Sequence, residues 1–205
     1  MRTTLLYLFI ATSVLLISIG QANAQTQPSG YEQPFKHEFA VKTNLLYGIG
    51  TMTPNLLGEV SLSPKTSLEV LVGYNPFTFK ENKKWKHFLV QPSFRYWFCD
   101  VFNAGFIGVH AHYANVNVGN FTVPFGLYKS TQDYRYQGDI AGAGVSIGYQ
   151  WPLAKHWGFE VEIGAGVSIF WYKKYECPHC GHFIDKDHKV FVGPTKAAMK
   201  LIYQF

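Results

Sequence analysis

The final eleven residues constrain the fold most. From Thr195 to Phe205 the chain places Ala197, Met199, Leu201, Tyr203 and Phe205 on one side and Lys196, Ala198, Lys200 and Gln204 on the other. A period of two is the signature of an extended strand with one apolar face. A strand of this kind that stops on an aromatic residue matches the closing strand of an outer-membrane β-barrel, which pairs with the first strand and leaves no bare edge. It predicts an integral location in the outer membrane of a Gram-negative bacterium.

The other end of the chain carries the same expectation. Met1-Arg2 gives a positive start, Leu5 to Ile19 is mostly apolar, and Ala22-Asn23-Ala24 offers a small-x-small cleavage site before Gln25. Residues 1–24 therefore read as a secretory signal peptide, 25–37 as a flexible N-terminal segment and 38–205 as the barrel. The apolar run is too short for a lasting transmembrane helix, and no cysteine stands at the cleavage point to take a lipid. Aromatic residues make up 17% of the chain and glycines number 19, a composition of strands and turns. The formal net charge of +5 is spread among acidic residues, which argues against nucleic acid as a partner.

Eight segments alternate with period two, each near the length of ~9–11 residues that a tilted membrane strand needs. They are residues 38–48, 55–63, 66–74, 88–98, 105–115, 139–150, 159–169 and 195–205. The expected fold is all-β, an eight-stranded antiparallel up-and-down transmembrane barrel. Short turns at 63–66, 99–103 and 151–156 alternate with longer loops at 77–87, 116–137 and 171–189, as periplasmic turns and surface loops do. Trp97, Trp151 and Trp157 then fall near one aromatic girdle, and Tyr47, Tyr74, Trp171 and Tyr172 near the other. A soluble lipocalin-like barrel also alternates, with its apolar face inward. It would expose Gly142, Gly144, Gly148, Gly164 and Gly166 to water, whereas a narrow polar lumen needs small residues beside large ones.

In this register Lys42, Arg95, Lys196 and Lys200 share the lumen with Glu59, Glu69, Glu160 and Glu162. Four positive and four negative charges in so narrow an interior predict a plugging ion-pair network. The alternative is a small conducting channel that uses His110 and His112.

Cys177-Pro178-His179-Cys180-Gly181-His182, followed by Asp185 and His188, has the spacing of a zinc knuckle. Cys177, Cys180, His182 and His188 could hold zinc in the outer loop 171–189; a Cys177–Cys180 disulfide is the equal alternative. Cys99, at the opposite end, should be an unpaired thiol. Lys80, Lys83, Lys84, Trp85, Lys86 and His87 form a basic aromatic loop suited to lipopolysaccharide phosphates. The third loop, with Tyr128, Tyr134, Arg135 and Tyr136, suits a protein or glycan partner. Ser168, His182 and Asp185, or Ser146, His110 and Glu162, could be drawn as catalytic sets, but neither sits in a nucleophile motif.

Several motifs carry a resemblance: Lys42-Thr43-Asn44-Leu45-Leu46-Tyr47, Gly73-Tyr74-Asn75-Pro76, Lys83-Lys84-Trp85-Lys86-His87, Arg95-Tyr96-Trp97-Phe98-Cys99 and Gly193-Pro194-Thr195-Lys196-Ala197-Ala198. Over nearly the whole mature chain the sequence resembles a domain-of-unknown-function family of exported Gram-negative proteins, treated as barrels like OmpA and OmpX. The resemblance implies the same fold and, through neighbouring surface-fibre components, a role in attaching or assembling such fibres. The expected protein is non-enzymatic, with loops that bind an envelope or surface-fibre partner or that stabilise the outer membrane. The alternatives are a lipid A-modifying enzyme and a small porin-like channel.

Overall fold

The computed structural model describes residues 37–77, 84–119, 134–176 and 183–205. The expected signal peptide and most of the N-terminal segment lie outside them. Eight antiparallel strands form one sheet: β1 (Phe39–Asn44), β2 (Asn55–Ser63), β3 (Thr66–Asn75), β4 (Lys84–Trp97), β5 (Ala104–Gly119), β6 (Tyr134–Pro152), β7 (Trp157–Glu176) and β8 (Phe183–Gln204). Each strand pairs with the next, and β1 pairs with β8, so the sheet closes.

The rungs fix the stagger of that closure. From Asn44 one route runs through Lys200, Glu160 and Gln150 to Ala104 on β5. From Ala40 the other runs through Glu59, Glu69 and Ser93 to His110. Ala40 lies four residues before Asn44, so the second route from Asn44 meets β5 at position 114. The ring closes ten residues out of step, which tilts the strands against its axis.

Alternation sorts the side chains. Val145 and Ile163 point outward and are 63% and 62% exposed, while Lys42, Glu59, Glu69, Arg95, Glu160, Glu162 and Lys200 point inward and are buried. At the turn end an apolar layer of Ala40, Trp97, Phe102, Phe106 and Ile202 fills the interior. Phe102 reaches it because the segment after β4 folds inward, with Phe102 and Ala104 in the left-handed region at φ 67° and 66°.

Several expectations are corrected. Trp97 is fully buried inside, not in a girdle: it shares the inward face with Arg95, packs on Phe106 and donates to Ser67 Oγ at 2.9 Å. Trp151 and Trp157 are exposed on the outer face. The first strand does not reach Gly48. It stops at Asn44, whose side chain accepts from Tyr47 N at 3.2 Å and caps helix α1 (Leu45–Thr51), which ends at Met52 in the left-handed region. The long loops are shorter than expected, because β4 to β8 extend well past the alternating cores. Strand β7 runs to Glu176 and β8 begins at Phe183, so most of 171–189 is paired strand. In the same way 116–119 and 134–137 belong to β5 and β6, and 84–87 to β4.

Candidate functional site

The eight inward charges come from six strands and meet at one level. Arg95, on β4, reaches Glu59 and Glu160 through Nη1 at 3.0 and 3.1 Å, and Glu69 and Glu162 through Nη2 at 2.6 Å each. A planar fork of donors suits this bridging role, which a point charge could not fill from one position. Lys200 Nζ lies 2.9 Å from Glu69, 2.8 Å from Glu160 and 2.7 Å from Glu162. Lys42 pairs with Glu59 and contacts Glu160 at 2.6 Å. Lys196 closes the upper side, 2.8 Å from both Glu162 and Ser93 Oγ.

The cluster rests on the apolar layer: the Arg95 guanidinium lies 4.5 Å from the centroid of the Phe106 ring. A cation over an aromatic face recovers part of its lost hydration. Glu59 also accepts from Ser67. Carboxylate oxygens of Glu59, Glu69 and Glu160 come within 4.8 Å of one another, a spacing that could suit a metal ion. Lys42 and Lys200 contact all three groups or their neighbours, so the negative charge is already matched by the protein.

On the loop side of this cluster two histidines lie in the interior. His110 Nε2 is 2.9 Å from Thr195 Oγ1 and His112 Nε2 is 2.9 Å from Ser168 Oγ. Their rings lie where side chains on β6 and β7 would be. A Cβ on Gly142 would meet His112 at 2.7 Å, and one on Gly144 would meet His110 at 2.9 Å. The glycines make room for imidazoles in a narrow interior. Of the two catalytic sets drawn from the sequence, that of Ser168, His182 and Asp185 includes His182, which lies outside the described residues; in the other, His110 Nε2 is bonded to Thr195 rather than to Ser146 or Glu162.

At the loop end α1 folds beside the opening. Tyr47 lies over Gly73, where a Cβ would meet its ring at 2.7 Å, and its hydroxyl is 2.7 Å from His87 Nε2. Thr53 Oγ1 lies 3.1 Å from the same nitrogen, and Asn75 Nδ2 donates to Thr51 O, Met52 O and Thr53 Oγ1 at 3.2 Å each. Burial pushes the Tyr47 hydroxyl up to about 12.

The expected basic loop is thereby divided. Lys83 lies outside the described residues, Lys84, Trp85 and Lys86 stand on β4, Lys86 is exposed, and His87 serves α1. Cys177, Cys180 and His182 lie outside the described residues. His188 is exposed on β8, opposite Trp171, and Cys99 is an exposed free thiol at the turn end. The inward turn of Phe102 and the cap at Asn44 were not anticipated from periodicity, although an asparagine before an apolar run is a recognised helix-start signal.

No curated protein matches the chain. A family model described as "Protein of unknown function (DUF3575)" matches residues 8–205, and the chain belongs to that family.

Proposed function

We propose that the protein is an integral outer-membrane barrel of a Gram-negative bacterium, eight-stranded, up-and-down and non-conducting, whose loop end engages an envelope or surface-fibre partner. The observation that carries this reading is the inversion of its two faces. Charged side chains are buried inside, while Val145, Ile163, Ile147 and Phe94 cover the outside. In water that arrangement would be unfavourable by the apolar area it leaves exposed; in a bilayer it is the stable one. A closed ring in which each strand pairs with both neighbours along part of its length, and in which Asn44 bonds the β8 backbone where β1 ends, also goes most of the way to the requirement that backbone groups in lipid be bonded internally. The outer face then contacts outer-membrane lipid, with lipopolysaccharide beside the extended β4–β8 hairpins. Among the described residues the paired charges and the apolar layer beneath them occupy the interior at two successive levels, which supports a non-conducting lumen. The length of β6, β7 and β8 supports the partner role: at 19, 20 and 22 residues they exceed the ~9–11 needed to cross.

The test is cysteine accessibility in intact cells, in a variant lacking the native cysteines. Cysteine at Lys186 should react with a membrane-impermeant maleimide. Cysteine at Val145 should stay unlabelled until detergent is added. Equal labelling of both in the absence of detergent would refute a membrane-embedded outer face.

A further inference from the structure

The ring closes between very unequal strands. β1 has 6 residues and β8 has 22, and their pairing ends at the rung Asn44–Lys200. Among the described residues, β8 from Met199 back to Phe183 has β7 on one side and no strand on the other. A bare strand edge is a template for another strand, and proteins normally blunt it.

This edge is blunted almost everywhere. Asn44 donates through Nδ2 to Ala197 O and accepts from Met199 N through Oδ1, so at these odd-numbered residues the backbone faces the open side. Between Lys196 and Pro194 the register against β7 shifts by one, which transfers the open phase to even-numbered residues. Pro194 has no N–H to leave unpaired. Lys186 N donates to Asp185 Oδ1 and His188 N to Asp187 Oδ1, both at 2.7 Å. Those two bonds independently confirm the even phase. The even positions that remain are Val190 and Val192. Neither has a backbone hydrogen bond on the open side among the described residues, and both side chains are exposed, at 63% and 75%. Across the ladder their partners are Ile169 and Val167, so the site is an apolar step with two uncapped backbone rungs.

We propose that Val190 and Val192 form a strand-accepting site, at which an extended segment of a partner protein adds to the free edge of β8. Two residues facing the open side offer two N–H donors and two C=O acceptors, so a docked strand gains up to four backbone hydrogen bonds. The rungs set the partner's chemistry. It carries apolar or β-branched side chains on the face shared with Val190 and Val192, and an acidic residue further along, toward His188 and Lys186. Pockets for alternate side chains supply specificity and the main chain supplies affinity. This deepens the proposed partner role and rests on it.

The test uses the full-length protein refolded in lipid nanodiscs, with amide hydrogen exchange read residue by residue. Without ligand, the amides of Val190 and Val192 should exchange rapidly, while Phe191, bonded to β7, stays protected. Ten-residue peptides of alternating valine and threonine, ending in two glutamates, should slow exchange at Val190 and Val192 at least ~10-fold, and the same peptides ending in two lysines should do so less. The double variant V190P/V192P removes only donors that face away from β7, so it should fold as the native protein does and lose the peptide effect. Phe191→Pro, which removes a bond to β7, should instead destabilise the β7–β8 hairpin. Slow exchange at Val190 and Val192 without peptide, or no protection by either peptide set in a correctly inserted barrel, would overturn the proposal. Failure of the barrel to insert would refute the membrane reading itself.

Discussion

Arg95 shows how one side chain can organise an interior. It touches all four carboxylates of the cluster, and no ammonium there does so from one position. Removing one partner of a buried ionic set leaves the others uncompensated, at a cost of about 3–5 kcal/mol. Arg95→Ala should therefore lower the urea midpoint of unfolding sharply, and Arg95→Lys should recover only part of the loss, because the charge returns without the fork. Equal stability of Arg95→Ala and the native protein would show that the network contributes little. Tyr47 yields a prediction in pH. Its folded value of about 12 lies above the ordinary 10.0, so the fold favours the neutral hydroxyl. Its contribution is complete below pH ~10 and is lost as pH rises through about 12. Ultraviolet titration should show Tyr47 among the late-ionising tyrosines, and Tyr47→Phe should diminish the late step. The eight charges were legible in the sequence because each keeps the inward phase of its strand. The Tyr47–His87 bond was not, since it joins residues 40 apart through a helix that periodicity conceals.

Strands whose apolar residues alternate are readable; their ends are not. In 38–48 the alternation runs on into Leu45 and Tyr47, yet Asn44 caps a helix there, because a short polar side chain offers the backbone a local acceptor that competes with the sheet. At the loop end of β4 to β8 the opposite occurs. Charged and polar residues such as Asp185 to Lys189 carry no apolar period, but strands already aligned below extend as a hairpin ladder. The central glycines were read correctly as making space, and the structure specifies how much. A Cβ on Gly166 would strike the carbonyl oxygen of Ala143, and one on Gly144 that of Ala165, whereas one on Gly50 in α1 would meet nothing within 4 Å. Gly166→Ala should thus force β6 and β7 apart and destabilise the fold by several times the ~0.5–1 kcal/mol that Gly50→Ala should gain by helix propensity. Chemical denaturation of the two variants side by side decides between this steric account and a general intolerance of the chain to side chains at glycine.

For the whole molecule, the decisive quantity is whether the ring encloses a path. An eight-stranded ring has room for little more than its own side chains. Here that room holds two unlike layers: Trp97, Phe102 and Phe106 below, and the Arg95-centred ion pairs above. An ion crossing would have to part the pairs and then pass between packed aromatic rings, losing its hydration at both steps. The protein in planar lipid bilayers should therefore show no resolved conductance steps at moderate voltage. Removing one layer alone should not open it. Phe102→Gly should leave the bilayer silent because the ion pairs remain, and Arg95→Ala should leave it silent because the rings remain. The double variant is the informative one: conductance there and in neither single variant would establish two seals in series. Conductance in Arg95→Ala alone would mean that the aromatic layer leaks and the ion pairs are the sole gate. Steps in the native protein would replace the plugged interior with the channel that His110 and His112, on the loop side of the pairs, would then line.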